Sequence, residues 1–396
     1  MHPLELDIDP YDPAFLANPF PSYAIMREAG PVVRLKKYDV FAVARFKHVQ
    51  DVLRDWETFC SSGGASFRNY FREKPWRTPS LLLEADPPLH TRTRAVLARI
   101  MSPAAIAKLR ASIESDADEL VARLVERERF DAVADLGEVF PTKVFPDALG
   151  LPEGGRDNLL KYSLLVIAGF GPRNAFAEEA ERYAMDCLPW IEANCRREAL
   201  RPGSFGAQVY EAVDSGELTQ EEAPLLVRSF LSAGLDTSIR GISRALHVLA
   251  ANPDQWMLLR ATPNLARAAY EEMMRHNSPA QNVWRTTTRA VAIDGYEIGK
   301  HEKVAVFLGS ANRDPDRWEE PERYRIDRKT AGHVGLGFGI HGCVGQAIAR
   351  LEGEAILGAF ARRAETLELD GEPASFGAVG RRGLRSLPIR VTRRRG

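Results

Sequence analysis

The sequence predicts a mainly α-helical protein with a small β region, and three observations support this fold class. Apolar residues recur every three or four positions from about Pro103 to Met274, which is the spacing of amphipathic helices. No Ser/Gly-rich tract, charge block or fixed-period repeat interrupts the chain. We therefore expect residues 1–396 to form one domain. Short runs typical of strands lie near the two ends, at Val32–Leu35, Val40–Ala44, Val291–Ile293 and Val304–Phe307.

Charge and cysteine content exclude several classes of function. The 53 Lys and Arg residues balance 54 Asp and Glu residues, so the net charge is −1. This balance leaves no basic footprint for nucleic acid and no polybasic patch for a membrane. The four cysteines are irregularly spaced, which predicts neither a disulfide framework nor a zinc site. Residues Met1 to Pro13 contain no apolar run, so we expect a cytoplasmic protein without a signal peptide or membrane anchor.

The N-terminal region is predicted to contain a helix at Pro21–Ala29, a hairpin of the first two strands, and a helix at His48–Asp55. From Cys60 to Ser80 no period holds, because glycines and prolines break it. A structureless stretch of this length is uncommon in a compact domain, so we expect a binding loop. Its aromatic residues are Phe67, Tyr70, Phe71 and Trp76.

Helical patterns fill most of the remaining chain. Thr219 and Glu222 form a capping box that opens the longest of these patterns. The predicted boundaries are a helix from Pro87–Pro88 past Met101, amphipathic helices over 104–200 with breaks at Leu151–Gly155 and Gly169–Pro172, and helices at Thr219–Ala250 and Leu265–His276.

The middle of the longest helix is unusual. Gly234 costs about 1 kcal/mol of helix propensity relative to Ala. Asp236 and Thr237 place an acid beside a hydroxyl among apolar residues, and a hydroxyl that bonds back to the preceding turn loosens a helix. We therefore expect the helix to open here to admit a ligand. A solvent-exposed acid is the alternative interpretation.

Cys343 lies in a glycine-rich run, Gly337–Gln346. The spacing of a buried helix starts after Gly345, so Cys343 is predicted just before a helix N-terminus. Free N–H groups and the helix dipole favour a thiolate at that position. A thiolate in a glycine-lined pocket is a metal ligand or a nucleophile. For a lone cysteine, the alternative is a small buried hydrophobe in a turn.

This run resembles the haem-ligand loop of the cytochrome P450 superfamily, whose order is Phe-Gly-x-Gly-x-His-x-Cys-x-Gly. The chain departs from that order at the first position, where Leu336 replaces Phe. The resemblance implies a P450 fold, a single large helical domain around a buried haem b, with Cys343 as the thiolate ligand of the iron. The matching positions are Gly337, Gly339, His341, Cys343 and Gly345.

Four basic positions match the superfamily's contacts to the haem propionates. His90 and Arg94 lie four residues apart on one helix face, which by spacing alone also fits a basic solvent face. They match the superfamily's Asp-Pro-Pro-x-His-x-x-x-Arg stretch, and the resemblance implies that both bind a propionate. Arg285 and His341 match two more propionate contacts.

Two other motifs complete the resemblance. The segment from Ala233 to Thr237 resembles the Ala-Gly-x-Asp-Thr groove, where dioxygen binds beside the haem and protons are delivered. This implies a haem contact for Ala233 and catalytic roles for Asp236 and Thr237. Glu272 and Arg275 match Glu-x-x-Arg, which is expected to close a buried ion network with Arg323.

The resemblance implies a monooxygenase that inserts one atom of O2 into a C–H bond of its substrate. The chain contains no flavin or iron–sulfur segment that we can identify. We therefore expect electrons to come from NAD(P)H through a separate reductase and a [2Fe-2S] ferredoxin, the usual bacterial arrangement of the superfamily.

The substrate class is predicted from a narrower resemblance. Residues 73–80 and 225–232 resemble a bacterial branch that oxidises para-substituted benzoic acids, often by O-demethylation. This implies that Arg77, Ser80 and Ser229 bind a carboxylate. Ile167 and Val283 stand where those relatives carry ring-stacking aromatics, so we expect a wider cavity that accepts a cinnamate-like acid. The remaining expected substrate contacts are Leu83, Phe170 and Arg228.

Two alternatives remain open at this stage. A monooxygenase for a neutral hydrophobe such as a terpenoid would need no clamp at Arg77 and Ser80. A haem-thiolate sensor or binding protein would bind without turnover. Asp236 and Thr237 argue against a sensor, because a sensor needs no proton relay.

Overall fold

The computed structural model describes residues 1–75, 77–375 and 384–394, so Trp76 of the predicted binding loop lies outside the described residues. The described α-helices are α1 (Pro13–Ala17), α2 (Phe20–Ala29), α3 (Phe46–Arg54), α4 (Leu89–Ile100), α5 (Pro103–Arg127), α6 (Val139–Leu149), α7 (Asp157–Ala168), α8 (Ala175–Ala184), α9 (Leu188–Asn194), α10 (Phe205–Asp214), α11 (Glu222–Gly234), α12 (Asp236–Ala250), α13 (Pro253–Ala261), α14 (Ala266–Asn277), α15 (Leu308–Ala311) and α16 (Gln346–Arg363). The described strands are β1 (Leu4–Leu6), β2 (Val33–Leu35), β3 (Val40–Val43), β4 (Phe59–Cys60), β5 (Arg129–Asp131), β6 (Val283–Thr287), β7 (Val291–Ile293), β8 (Tyr296–Ile298), β9 (Lys303–Val306), β10 (Ala364–Leu369), β11 (Ala374–Ser375), β12 (Leu384–Ser386) and β13 (Pro388–Arg393).

The largest described sheet has six strands in the order β1-β2-β3-β9-β6-β4. The predicted hairpin is confirmed, since β2 and β3 pair antiparallel. Strand β6 was not predicted, and it pairs antiparallel with β9 so that Arg285 lies opposite Val304. On its other edge, Cys60 of β4 lies opposite Thr286. The sheet therefore holds Arg285 beside the start of the binding loop.

The C-terminal strands form a second, three-stranded sheet in the order β10-β13-β5. The sequence analysis did not predict these strands. Charged residues alternate with apolar ones along them, and Arg390 of β13 pairs with Glu368 of β10. Their pairing joins segments far apart in the chain, which local periodicity does not reveal.

A group of four packed helices, α5, α12, α14 and α16, forms the centre of the main hydrophobic core. Tyr270 of α14 shows how closely they approach. A Cβ atom placed on Gly353 of α16 would lie 2.2 Å from its ring, and one on Gly241 of α12 would lie 2.4 Å from its hydroxyl. Glycine at these two positions therefore lets α14 pack against both neighbours.

A buried ion network fixes the end of α14. Glu272 and Arg275 are fully buried and are joined by two hydrogen bonds of 2.7 and 2.8 Å. Arg323 joins this network only through its carbonyl, which accepts from Arg275 Nη2 at 3.3 Å. The expectation that its side chain is the third member is wrong, because that side chain is 59% exposed and pairs with Glu320. Arg328 takes that place, with its Nε 3.1 Å from Glu272 Oε1. Which arginine of this turn-rich segment points inward depends on tertiary packing.

The longest predicted helix is divided in the structure. Helix α11 ends at Gly234, α12 begins at Asp236, and Leu235 between them has φ −93° and ψ −63°. The Thr237 hydroxyl donates to the Ala233 carbonyl at 2.8 Å, as expected for a hydroxyl that competes with the helix ladder. The capping box is present, because the Thr219 N–H donates to Glu222 and the Glu222 N–H donates to Thr219. The prediction of a helix that opens near Asp236 is confirmed.

In the part of the chain that the structure describes, we find no helix that combines the length and apolarity needed to cross a bilayer.

Candidate functional site

The loop before α16 is shaped by its glycines. Gly337 and Gly339 have φ of +74° and +68°, a region that favours glycine. A Cβ atom on Gly339 would lie 2.4 Å from the Leu53 carbonyl oxygen at the end of α3. The Cys343 N–H donates to the Leu336 carbonyl at 2.8 Å, which closes the loop. Leu336, the departure from the superfamily's order, packs on the main core.

Cys343 is half-buried and lies three residues before the first residue of α16. Burial raises the pKa of its thiol, while the Gly345 N–H and the positive charge of Arg94 lower it. We expected the helix N-terminus to favour the thiolate. Among the chain's own residues, burial has the larger effect on the thiol pKa, so this expectation is not met. A metal cation bound at the sulfur would reverse the balance, since a coordinating thiol is deprotonated outright.

The predicted propionate-binding residues meet in space. The rings of His90 and His341 have their centroids 4.3 Å apart. Burial, with the nearby His341 and Arg94 charges, lowers the pKa of His90 to about 4. Burial also lowers the pKa of Arg285 to about 10. Asp86, 3.8 Å from His341 Nε2, is a carboxylate beside this cluster, and it accepts two loop N–H groups.

The cluster has the chemistry of an anion-binding site. Among the described residues, neither Arg94 nor Arg285 forms a salt bridge, and the buried Nε2 of His90 has no hydrogen-bond partner. Buried cationic and polar groups are normally paired. Two propionates on a flat macrocycle whose iron meets Cys343 would satisfy all of these groups. The residues therefore fit haem b.

The predicted catalytic pair lies at the junction of α11 and α12. Asp236 is 8% exposed, so the alternative of a solvent-exposed acid is excluded. Its Oδ1 accepts a 2.7 Å hydrogen bond from Nε of the buried Arg240, one helical turn later. Ala233 is exposed at this junction, and its carbonyl accepts from Thr237. The junction thus presents a hydroxyl and a paired carboxylate next to an open backbone.

A buried glutamate connects this junction to the cysteine helix. The Ser238 hydroxyl of α12 donates to Glu352 Oε2 of α16 at 2.6 Å, and Glu352 is 1% exposed. Its Oε1 has no hydrogen-bond partner among the described residues. Burial raises the pKa of Glu352 to about 7. Sequence reasoning missed this residue, although an acid within the apolar helix after Gly345 was a usable signal.

The three predicted carboxylate-binding residues also come together. The hydroxyls of Ser80 and Ser229 lie 3.0 Å apart, and both residues are buried. One oxygen of Glu84, Oε2, accepts the Ser80 N–H at 2.8 Å and lies 3.2 Å from Arg77 Nη2. The other oxygen accepts the Tyr70 hydroxyl at 2.8 Å. Glu84 therefore joins Arg77 and Ser80, and sequence reasoning did not single it out.

Arg228 lies at the outer side of this group. Its Nη2 donates to the Thr78 carbonyl at 2.7 Å. Burial lowers the pKa of Arg228, the nearby Tyr162 raises it, and the nearby Arg77 lowers it further. The expected contact residues of the loop and of α11 therefore form one cluster, with two arginines and two serine hydroxyls.

A cleft of about 100 Å³, partly open to solvent, borders the predicted propionate-binding residues. Leu83, Phe170 and Val283 line it together with Arg285 and His341. Ile167 does not line this cleft and is 2% exposed in α7. The Phe67 N–H donates to the Phe170 carbonyl at 2.9 Å, which ties the binding loop to the turn after α7.

Comparisons with known proteins agree with this architecture. The family model described as Cytochrome P450 matches residues 257–375. The chain is 51% identical over 388 residues to cytochrome P450 CYP199A2 of Rhodopseudomonas palustris, which covers 98% of the chain and 94% of that relative. It is 31% identical to cytochrome P450 107B1 of Saccharopolyspora erythraea, over 97% of the chain and 98% of that relative.

Solved structures show the same fold. Cytochrome P450 CREJ in complex with (4-ethylphenyl) dihydrogen phosphate has a TM-score of 0.88, 26% identity and coverage of 97% of this chain and 99% of its own. CalO2 has a TM-score of 0.87 and 27% identity, with coverage of 97% and 98%. The chain therefore belongs to the cytochrome P450 family and is a monooxygenase that uses haem b.

Proposed function

We propose that this monooxygenase oxidises aromatic monocarboxylic acids, inserting one oxygen atom from O2 into a para-substituted benzoate or a cinnamate-like acid by O-demethylation or hydroxylation. The observation that carries the proposal is the contact of the buried Ser80 and Ser229 hydroxyls, 3.0 Å apart, beside the Arg77 guanidinium. Two hydroxyl donors and a guanidinium suit a carboxylate.

The distance from this clamp to the catalytic junction suits a flat acid. Ser229 lies two turns before Thr237, which corresponds to roughly 12 Å along a helix. An aromatic acid held by its carboxylate at Ser229 would direct its para substituent toward Thr237 and Asp236. The reaction would therefore occur at the end of the substrate opposite to the acid.

The width of the pocket favours substrates larger than a simple benzoate. Val283, one of the two positions where relatives of the benzoic acid branch carry ring-stacking aromatics, is aliphatic and lines the cleft with Phe170. An aliphatic side chain there leaves more room than a stacked aromatic ring. We expect longer para groups and cinnamate-like acids to be accepted.

The chain's own residues would deliver protons and position the substrate. Haem b, when bound at Cys343, supplies O2 activation. Thr237 would orient a water molecule as proton donor through its hydroxyl, which donates to the Ala233 carbonyl. Asp236 would relay protons inward, and its pairing with Arg240 holds its position on the first turn of α12.

The proposed source of electrons is NAD(P)H, through a ferredoxin reductase and a [2Fe-2S] ferredoxin. The described residues form a P450 fold and include no additional redox module. A requirement for NAD(P)H would place the reaction in the cytoplasm.

The relatives support the aromatic-acid proposal. The binding loop and α11 resemble the branch that oxidises para-substituted benzoic acids. The 51% identity to CYP199A2 covers 98% of the chain, so the similarity is not limited to these two segments. The solved CREJ complex contains a para-substituted aryl anion. A carboxylate and a phosphate are both acceptors for arginine and hydroxyl donors.

The test is a haem spin-state titration of the haem-loaded protein with matched acids and methyl esters. We expect 4-methoxybenzoate and 4-methoxycinnamate to bind at least tenfold more tightly than their esters, because each ester lacks the charge that Arg77 recognises. Equal binding of acids and esters would overturn the aromatic-acid proposal and favour a neutral substrate.

A further inference from the structure

We propose that Glu84 is a specificity-determining residue, which acts as the resident counter-anion of the clamp arginines and restricts the pocket to substrates with a single negative charge on their acid group. This inference rests on the proposed function and extends it, because it assigns the charge of the acid that the clamp selects. It follows from contacts that the assigned substrate residues do not explain.

The hydrogen bonds of Glu84 show that it is a carboxylate acceptor at both oxygens. Oε1 accepts the Tyr70 hydroxyl, and Oε2 accepts the Ser80 N–H and lies 3.2 Å from the Arg77 guanidinium. All three partners are donors, so a proton on Glu84 would have to displace one of them. The Glu84 side chain is only 2% exposed, which keeps these bonds out of competition with water.

The charged side chains of the clamp leave one unit of positive charge, and the buried Lys303 of β9, whose pKa burial lowers to about 7, also acts on Glu84. Arg77 and Arg228 contribute two positive charges, and Glu84 contributes one negative charge. Among the described residues, Arg228 forms no salt bridge of its own and donates to the Thr78 carbonyl. The two serine hydroxyls at the clamp are neutral donors. A monocarboxylate therefore brings the group to neutrality.

A ligand whose acid group carries two negative charges would not leave the clamp electrically neutral. Its second negative charge would face the buried Glu84 carboxylate, and like charges in a desolvated site repel strongly. The same carboxylate prevents the two arginines from binding a phosphate or a dicarboxylate with full charge compensation. Glu84 thus aligns Arg77 for one anion while it excludes a second charge.

The experiment compares two ligands that differ in charge at the acid end. The probes are 4-ethylbenzoate, which stays a monoanion from pH 5.5 to 8, and (4-ethylphenyl) phosphate, which becomes a dianion above a pKa of about 6. Affinities are measured with the haem-loaded protein by spin-state titration and by calorimetry. For the parent protein, we expect the phosphate to lose about tenfold or more in affinity relative to the benzoate between pH 5.5 and pH 8.

Charge variants test the role of Glu84 directly. In Glu84→Gln, the preference at pH 8 should move toward the phosphate by roughly 10- to 100-fold, the scale of one charge-assisted hydrogen bond. In Arg228→Gln, the preference should move the other way, and this variant keeps the test valid if Glu84→Gln does not fold. The double variant should return close to the parent preference. Tyr70→Phe is the matched control, because it removes a bond to Glu84 and keeps the charge.

The outcomes separate the two proposals. If the parent prefers 4-ethylbenzoate to its methyl ester but Glu84→Gln leaves the benzoate-to-phosphate ratio unchanged, the role of Glu84 is wrong and the proposed function stands. A shift in Tyr70→Phe as large as that in Glu84→Gln would also overturn the role of Glu84. If the parent does not distinguish acid from ester, both proposals fail.

Discussion

The predicted haem-binding loop and the proposed acid clamp are built in opposite ways. Around Cys343, the geometry comes from the local backbone, with left-handed glycines and an N–H that donates to the nearby Leu336 carbonyl. In the clamp, Ser80 and Ser229 are 149 positions apart and meet only because a loop folds onto α11. A third residue, Glu84, fixes the loop side through three donors.

We infer from this difference that the residues that carry out the reaction are separate from those that select the ligand. Substitutions in the haem-binding loop and at the α11–α12 junction should change the reaction and leave recognition of the acid intact. Substitutions in the clamp should change which ligands bind and leave the haem site intact. The variants at Cys343, Asp236, Thr237 and Arg77 test that separation, and Glu352→Gln tests the contact between α12 and α16.

Replacement of Cys343 by His should have the largest effect. The parent protein, reduced under carbon monoxide, should show the red-shifted Soret band of a thiolate ligand. Cys343→His should show the band of histidine-ligated haem and lose oxygen insertion. Calorimetry with 4-methoxybenzoate should give an affinity within a few fold of the parent. Loss of acid binding in a folded, haem-loaded variant would show that the two regions are coupled.

Changes at the junction should reduce turnover without weakening binding. Asp236→Asn should slow turnover by roughly 10²- to 10⁴-fold, the scale of a positioned acid–base group. Thr237→Ala should divert NADH into hydrogen peroxide, since its hydroxyl no longer positions the proton donor. Both variants should bind the acid normally in a spin-state titration. Unchanged coupling of NADH to product in Thr237→Ala would count against the proposed proton delivery.

Substitution of Glu352 tests the buried hydrogen bond that joins α12 to α16. Burial raises its pKa in the folded state to about 7, above the ordinary value of 4.5. The folded state therefore holds this proton more tightly, and its stability falls as the pH rises from 4.5 through 7. Glu352→Gln lacks this titration. Its free energy of unfolding relative to the parent should increase by up to about 3 kcal/mol between pH 4.5 and pH 8.

Urea denaturation of the haem-loaded proteins at several pH values measures this difference. Ser238→Ala is the matched control, because the Ser238 hydroxyl lowers the pKa of Glu352 and its loss should steepen the pH dependence. A parent-to-variant difference that does not change with pH would contradict the raised pKa.

Arg77→Ala should have the smallest of these effects and the most selective one. Loss of a hydrogen bond to a charged group costs about 1.5–3 kcal/mol, so aromatic acids should bind roughly 10- to 100-fold more weakly. The methyl esters should bind as they do to the parent. Haem content and the carbon monoxide band should not change. An equal loss for acids and esters would indicate a structural role for Arg77.

The same contrast explains how much the sequence reveals. The helix that opens near Asp236 follows from a local motif, so sequence reasoning places it well. The meeting of His90 with His341 joins distant segments and was implied only by the family resemblance of their two motifs. Arg328 and Glu84 were missed, because their partners depend on which side chains of irregular segments turn inward. Strands such as β13 were missed for a related reason, since their partners lie far away in the chain.

The pattern of products from positional isomers tests the central claim most directly. The haem-loaded protein, with NADH, a ferredoxin reductase and a [2Fe-2S] ferredoxin, is incubated with 2-, 3- and 4-methoxybenzoate under ¹⁸O2. A clamp that holds the carboxylate away from the haem predicts that the 4-methoxy isomer is demethylated far faster than the others. The 4-hydroxybenzoate formed should carry no label, because the oxygen atom inserted from O2 leaves with the methyl carbon as formaldehyde. Comparable oxidation of all three isomers, or oxidation of the methyl ester at the same rate, would contradict the account.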